Sequence, residues 1–250
     1  MPEIYSNNWD DKSKNRVSLE DLKKRIEESI EAVEDMVKNK KLDILDFTAL
    51  KFAKTATWPY PVKKKNECNF VEFINQLFTT VASVKAIEYL VEKSCLGEKN
   101  KWKMCLGTTP GRDLTVYDGK SPKIIAEIFA VTDPSSNSKL KGEILSLAKD
   151  KNVDRYAFFI LAVDNFKDLT KKAKGWTAYT PTQKKDTGDK QTDKKPPIVA
   201  DKMELNIDGD TPPQRATWTC TCNEKMIHIV CWSSEGCLNE FMTRKQCRSI

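Results

Sequence analysis

Histidine is almost missing from this chain: there is one among 250 residues, His228. Serine and cysteine triads need an imidazole beside the nucleophile, so any such site would rest on His228, and no Gly-x-Ser-x-Gly elbow accompanies it. The phosphate-cradling loops Gly-x-x-x-x-Gly-Lys-Ser/Thr and Gly-x-Gly-x-x-Gly are also missing. So is the His-x-Glu and Pro-Cys-x-x-Cys signature of zinc deaminases. Metal-dependent phosphodiester hydrolysis needs none of these, only carboxylates, a cation and a lysine. That chemistry remains open.

Long apolar runs are lacking too. No stretch approaches the roughly 18–20 residues that span a membrane, so no membrane partner is expected. The opening Met-Pro-Glu-Ile-Tyr-Ser-Asn-Asn-Trp has neither the basic nor the apolar region of a secretory signal. An intracellular location, cytoplasm or nucleus, is therefore expected, with the eight cysteines as thiols or metal ligands. The formal net charge is +6, from 42 basic and 36 acidic residues. This mild excess permits nucleic-acid partners without demanding them.

Residues 1–17 are polar and expected to be flexible. A helical part spans 18–100. Leu19, Leu22, Ile26, Ile30, Val33 and Val37 recur at spacings of three and four after Ser18-x-x-Asp21, a capping-box start, which predicts a helix to about Asn39. Packing on its own domain is the favoured use of that seam, with a homodimer as the alternative. A short helix is expected at 44–54. The lysines Lys63, Lys64 and Lys65 follow, either as a solvated loop or as a phosphate contact. Asn69–Lys93 carries a strong apolar stripe. Its Glu72 and Glu88 read as salt-bridge partners.

From 101 to 180 the pattern is α/β. Lys101–Leu106 reads as a strand, and Leu114–Tyr117 and Lys123–Val131 flank Asp118-Gly119, a strong hairpin signal. Asp133-Pro134 can begin a helix running to Ala148, and Tyr156–Val163 is apolar enough to be a strand covered on both faces. A mixed sheet with a crossover follows. Residues 181–213, rich in Lys, Asp, Gln, Thr and Pro, read as a linker or long loop. In the tail, 214–250, Arg215–Cys222 and Met226–Trp232 can pair as a hairpin, and 238–246 look helical. Five cysteines lie there. Their spacing is not that of paired zinc knuckles, so small apolar strand residues are favoured over a zinc site.

Within this pattern Asp113 starts one hairpin strand and Glu127 sits inside the other, among Ile-Ile-Ala-Glu-Ile-Phe-Ala-Val. A buried carboxylate needs a compensating partner, and a divalent cation is one. The alternatives are a strand-start Asp113 bonding loop amides and a salt bridge from Glu127 to Lys103 or Arg112. The segment Gly111-Arg-Asp113-Leu-Thr-Val-Tyr-Asp-Gly-Lys-Ser-Pro-Lys-Ile-Ile-Ala-Glu127-Ile-Phe129, with the helix and strand that follow, resembles the core of the PD-(D/E)XK nuclease superfamily. The resemblance implies a restriction-endonuclease-like mixed sheet. It also implies Mg²⁺ or Mn²⁺ on Asp113, Glu127 and the Ile128 carbonyl, and a nucleic-acid substrate, DNA being favoured. Phe129 stands where the family has its catalytic lysine. In some members that lysine comes from the next helix, where Lys139 and Lys141 lie here. Lys63–Lys65 and the loop carrying Lys171, Lys172 and Lys174 would then hold the phosphate backbone. The alternative is a nuclease-like fold that has lost its chemistry and serves as a nucleic-acid or protein-binding module.

Overall fold

The computed structural model describes residues 4–6, 16–38, 56–57, 67–93, 96, 100–105, 111–131, 139–161, 198–199, 206–208, 215–222, 224–234, 237 and 241. Of the expected elements, the helix at 44–54, the helix start at Asp133-Pro134 and most of the closing helix at 238–246 lie outside these residues.

Ser18 opens helix α1 (Leu19–Lys38) with a reciprocal cap. The Asp21 amide donates to Ser18 Oγ at 3.0 Å and the Ser18 amide donates to Asp21 Oδ2 at 3.0 Å. The Ser18 hydroxyl also donates to Asp21 Oδ2 at 2.7 Å, and this bond, with that of the Ser18 amide, holds the Asp21 carboxyl below its usual range, Arg25 and Lys24 adding to the effect. Replacing Ser18 by Ala orphans the Asp21 amide at the helix start. Urea unfolding is expected to show a loss of about 1 kcal/mol.

Helix α2 (Phe70–Lys93) starts where Asn69 Oδ1 accepts from the Glu72 amide at 2.8 Å. Its middle is buried on most sides, and α1 lies against it. Lys23 reaches Glu88 at 2.8 Å and Lys85 reaches the same carboxylate at 3.2 Å, which makes Glu88 the salt-bridge partner the sequence suggested. Glu72 is exposed at the helix start.

The strands are β1 (Ile4–Ser6), β2 (Arg16–Val17), β3 (Ala56–Thr57), β4 (Glu67–Cys68), β5 (Lys101–Met104), β6 (Leu114–Asp118), β7 (Ser121–Val131), β8 (Asp154–Leu161), β9 (Ile198–Val199), β10 (Asn206–Asp208), β11 (Arg215–Cys222) and β12 (Lys225–Ser233). Strands β3 and β4 pair apart; the other ten described strands form one mixed sheet in the order β10-β11-β12-β8-β7-β6-β5-β1-β2, with β9 beside β11. Strand β7 runs parallel to β8, and β8 parallel to β12, while β5, β6 and β7 are antiparallel.

Alternation along the strands splits the core into two layers. Ile124, Ala126 and Ile128 of β7 and Phe158 and Ile160 of β8 pack under α1 and α2. Ile125, Phe129, Ala157 and Phe159 face the other way, onto Leu140, Ile144 and Leu147 of helix α3 (Lys139–Leu147). Burial on both faces accounts for the near-continuous apolar runs of β7 and β8. Three features depart from the sequence reading. The segment expected to be a flexible N-terminus contributes β1, whose Ile4 is fully buried beside β5. The span read as linker contains β9 and β10. The tail hairpin is an extension of the central sheet, because β12 continues the parallel set.

Candidate carboxylate site

Hairpin β6–β7 is closed by Asp118-Gly119-Lys120, with Gly119 at φ +63°, a conformation glycine adopts without steric cost. Its register pairs Leu114 with Ala126, so Asp113 lies opposite Glu127. Both belong to the face under α3, with Ile125 and Phe129. Gly111, at φ +135°, bends the chain just before Arg112 and Asp113, where any L side chain would be strained.

Asp113 Oδ2 accepts from the Ile128 amide at 2.7 Å. The Asp113 carboxyl is pushed up to about 7. Burial is the largest cause; the charge of Glu127, a hydrogen bond between the two carboxyls and the charge of Glu143 add to it, against the Ile128 amide. Two like charges this close do not both ionise freely, so the pair retains a proton near neutrality.

Glu127 is 7% exposed and its Oε1 is held by the Arg112 guanidinium. Arg112 is a four-point clamp. It also donates to Ser146 Oγ at 2.7 Å and to the Ser146 carbonyl at 2.8 Å, and it pairs with Asp150. Burial works against the charged guanidinium, but the bonds to Glu127 and Asp150 outweigh it and raise its pKa. The Arg112 alternative for Glu127 is thus present in the structure.

Lys139, at the start of α3, stands 5.6 Å from the centre of the Phe129 ring and pairs with Glu143 one turn on. It therefore lies above the position where the family pattern has its lysine. Lys141 lies in the same helix; its side chain is outside the described residues. So are Lys63, Lys64, Lys65, Lys171, Lys172 and Lys174. Ile128 reaches Asp113 through its amide.

Sequence reasoning missed Glu143, Ser146 and Asp150. A signal was present for Glu143, which is spaced four residues after Lys139, the helical ion-pair spacing.

Two neighbouring carboxyls supply the hard oxygen donors that Mg²⁺ takes, and this ion commonly binds through one or two carboxylates and keeps several waters. Among the described residues no group of three or more Asp, Glu, His or Cys is arranged around a metal position. No protein-family model, curated protein or solved structure matches this chain.

The tail residues contribute elsewhere. Cys220, Cys222, Cys231 and Cys237 are buried. His228 stacks on Tyr156, with 4.9 Å between ring centres, and burial lowers its pKa. Among the described residues no helix is long and apolar enough to cross a membrane.

Proposed function

We propose that this protein is a metal-dependent nuclease that hydrolyses phosphodiester bonds in nucleic acid, with DNA the favoured polymer and a restriction-endonuclease-like core as its scaffold. One observation carries the reading: Asp113 and Glu127 lie side by side across the hairpin, Glu127 buried and Asp113 half-buried, with burial and the neighbouring charge pushing the Asp113 carboxyl up to about 7. A purely structural pair would gain stability by being apolar, since desolvating two carboxyls is costly. The order strand, strand, strand, helix, strand through β5, β6, β7, α3 and β8 is in keeping with the resemblance.

In this reading Asp113 and Glu127 hold Mg²⁺ or Mn²⁺. The ion, when bound, supplies an activated water and neutralises phosphate charge. Glu127 has lone pairs enough to keep Arg112 on one side while offering the other. The Ile128 amide fixes the Asp113 carboxyl through Oδ2. Lys139 is the cation placed to orient a water or stabilise developing negative charge, with Glu143 setting its position. Phe129 fills the space beneath it.

The test is cleavage of single- and double-stranded DNA and RNA with Mg²⁺ or Mn²⁺, comparing the natural protein with Glu127→Ala. Cleavage by the former and a loss of at least 100-fold in the latter is expected. Absence of cleavage on every substrate with either ion overturns the proposal.

The Arg112 clamp favours a second reading. It already neutralises Glu127, as a cation would, which suits a nuclease-like fold acting as a binding module. Calorimetric titration with Mn²⁺ separates the two: a binding module of this kind takes up no ion at Glu127.

A further inference from the structure

Strands β7, β8 and β12 run parallel, and each carries one basic residue near its starting end. Register pairs Ile125 with Arg155, and His228 with Tyr156. Alternation sets Arg155 and Lys225 on the face that carries Glu127, and Lys123 stands beside them at the irregularity of the β6–β7 ladder, where Val116 pairs with Ile124 and Tyr117 with Pro122. An open cavity of about 510 Å³ at these strand ends is lined by the three cations with Ser121 and Asn152, and by Asp118 and Asp154.

The lining carries three cations and two carboxylates, a formal excess of one positive charge. Arg155 is 6% exposed, yet among the described residues it has no ion pair. Its Nη2 donates to the Asp150 carbonyl at 2.6 Å and its Nε has no partner. Nor do Lys123 and Lys225 form an ion pair with a described residue. Asp118 and Asp154 are exposed, and the charge of Asp154 is also felt by His228. A buried guanidinium with no carboxylate partner among the described residues carries a desolvation cost that an incoming anion offsets.

We infer that this cavity binds a phosphate group of the nucleic-acid backbone, at a second point of attachment beside the carboxylate site. The inference rests on the nuclease reading for the identity of the polymer. Lys123 and Glu127 are four residues apart on one strand, about 13 Å, so one short oligonucleotide reaches both. The two sites also share a residue: the Asp150 side chain pairs with Arg112, and its carbonyl accepts from Arg155. The oxyanion meets Arg155 through charge-assisted bonds, while Lys123 and Lys225 act as point charges. This attachment is independent of base sequence.

The experiment measures fluorescence anisotropy of a labelled 20-nucleotide single-stranded DNA with the full chain in EDTA, over a series of salt concentrations. Arg155 is left intact, because its burial ties it to folding. Lys123→Glu with Lys225→Glu is expected to weaken binding on the order of 10-fold or more and to flatten the log–log salt slope by about 0.7, one single-strand phosphate contact. The same charge change at Lys24 and Lys93, on helices of the opposite face, should leave both quantities nearly unchanged. Equal losses in the two pairs would overturn the inference, as would no loss at Lys123 and Lys225 in a protein that still cleaves with Mn²⁺; that second outcome leaves the nuclease reading standing. Weakened binding in a protein that never cleaves supports the phosphate site and overturns the nuclease. Inorganic pyrophosphate is the remaining probe. If it stabilises the protein thermally and the oligonucleotide does not displace it, the cavity serves a small phosphate and the backbone assignment is wrong.

Discussion

Replacing Arg112 with Met is expected to lower unfolding stability by about 3 kcal/mol at pH 7.5 in EDTA, because it leaves Glu127 buried without a counter-charge. Asp150, the more exposed partner of the clamp, loses less, since water replaces the guanidinium there. The informative part is the reversal. If Asp113 and Glu127 take up a divalent ion, Mn²⁺ at a hundredfold excess over its Kd returns about 2.7 kcal/mol. Urea midpoints with and without Mn²⁺ measure both effects. A variant that is destabilised but indifferent to Mn²⁺ speaks for the binding-module reading, in which Arg112 is the permanent partner of Glu127.

Replacing Asp113 with Asn should stabilise the protein in alkali and abolish cleavage. The Asp113 carboxyl is raised from 3.8 to about 7, so between those values the folded protein holds a proton that the unfolded chain releases. Stability from this group is fully present below about pH 4. It falls as pH rises, and beyond pH 7 it is lost, on the order of 4 kcal/mol. Asn cannot lose that proton. Its Oδ1 can accept from Ile128, and its amide can donate to Glu127 as the protonated Asp does. The difference in unfolding free energy between variant and natural protein should therefore grow from near zero at pH 4 to its maximum above pH 7. A pH-independent difference would mean that Asp113 is ionised throughout.

Much of the site's frame is local, and local features are legible in sequence. Asp118-Gly119 sets the hairpin, and alternation from Leu114 and Ala126 places Asp113 against Glu127 with no knowledge of the rest of the chain. Helices α1 and α2 follow from apolar spacing and from the caps at Ser18 and Asn69. The clamp was less accessible. Arg112 meets Ser146 and Asp150 only because α3 packs over Ile125 and Phe129, and no periodicity in the sequence encodes the direction in which an arginine emerges from a bend at Gly111. Arg112 appeared as one of two candidate partners for Glu127; its other contacts could not be read. Strand β1 was missed because three residues are too few to show an alternation, and Ile4 was the only clue. The tail was read as a separate unit because pairing between distant parallel strands leaves no short-range signature, whereas the hairpin β11–β12 does. The basic cavity escaped for the same reason: Lys123, Arg155 and Lys225 come from three strands, and only register brings them together.

The parallel joint between β8 and β12 also sets an order of events as the chain folds. Hairpins β6–β7 and β11–β12 need only short loops to close and can form early. Joining β12 to β8 must bring together residues separated by about seventy positions, so its entropic cost comes before any reward from packing. Until then the edge of β8 presents unpaired amides and carbonyls along an apolar strand, a surface to which another copy of the chain can add. Crowded, rapid refolding therefore favours aggregation through Tyr156–Leu161, and slow dilution favours the native sheet.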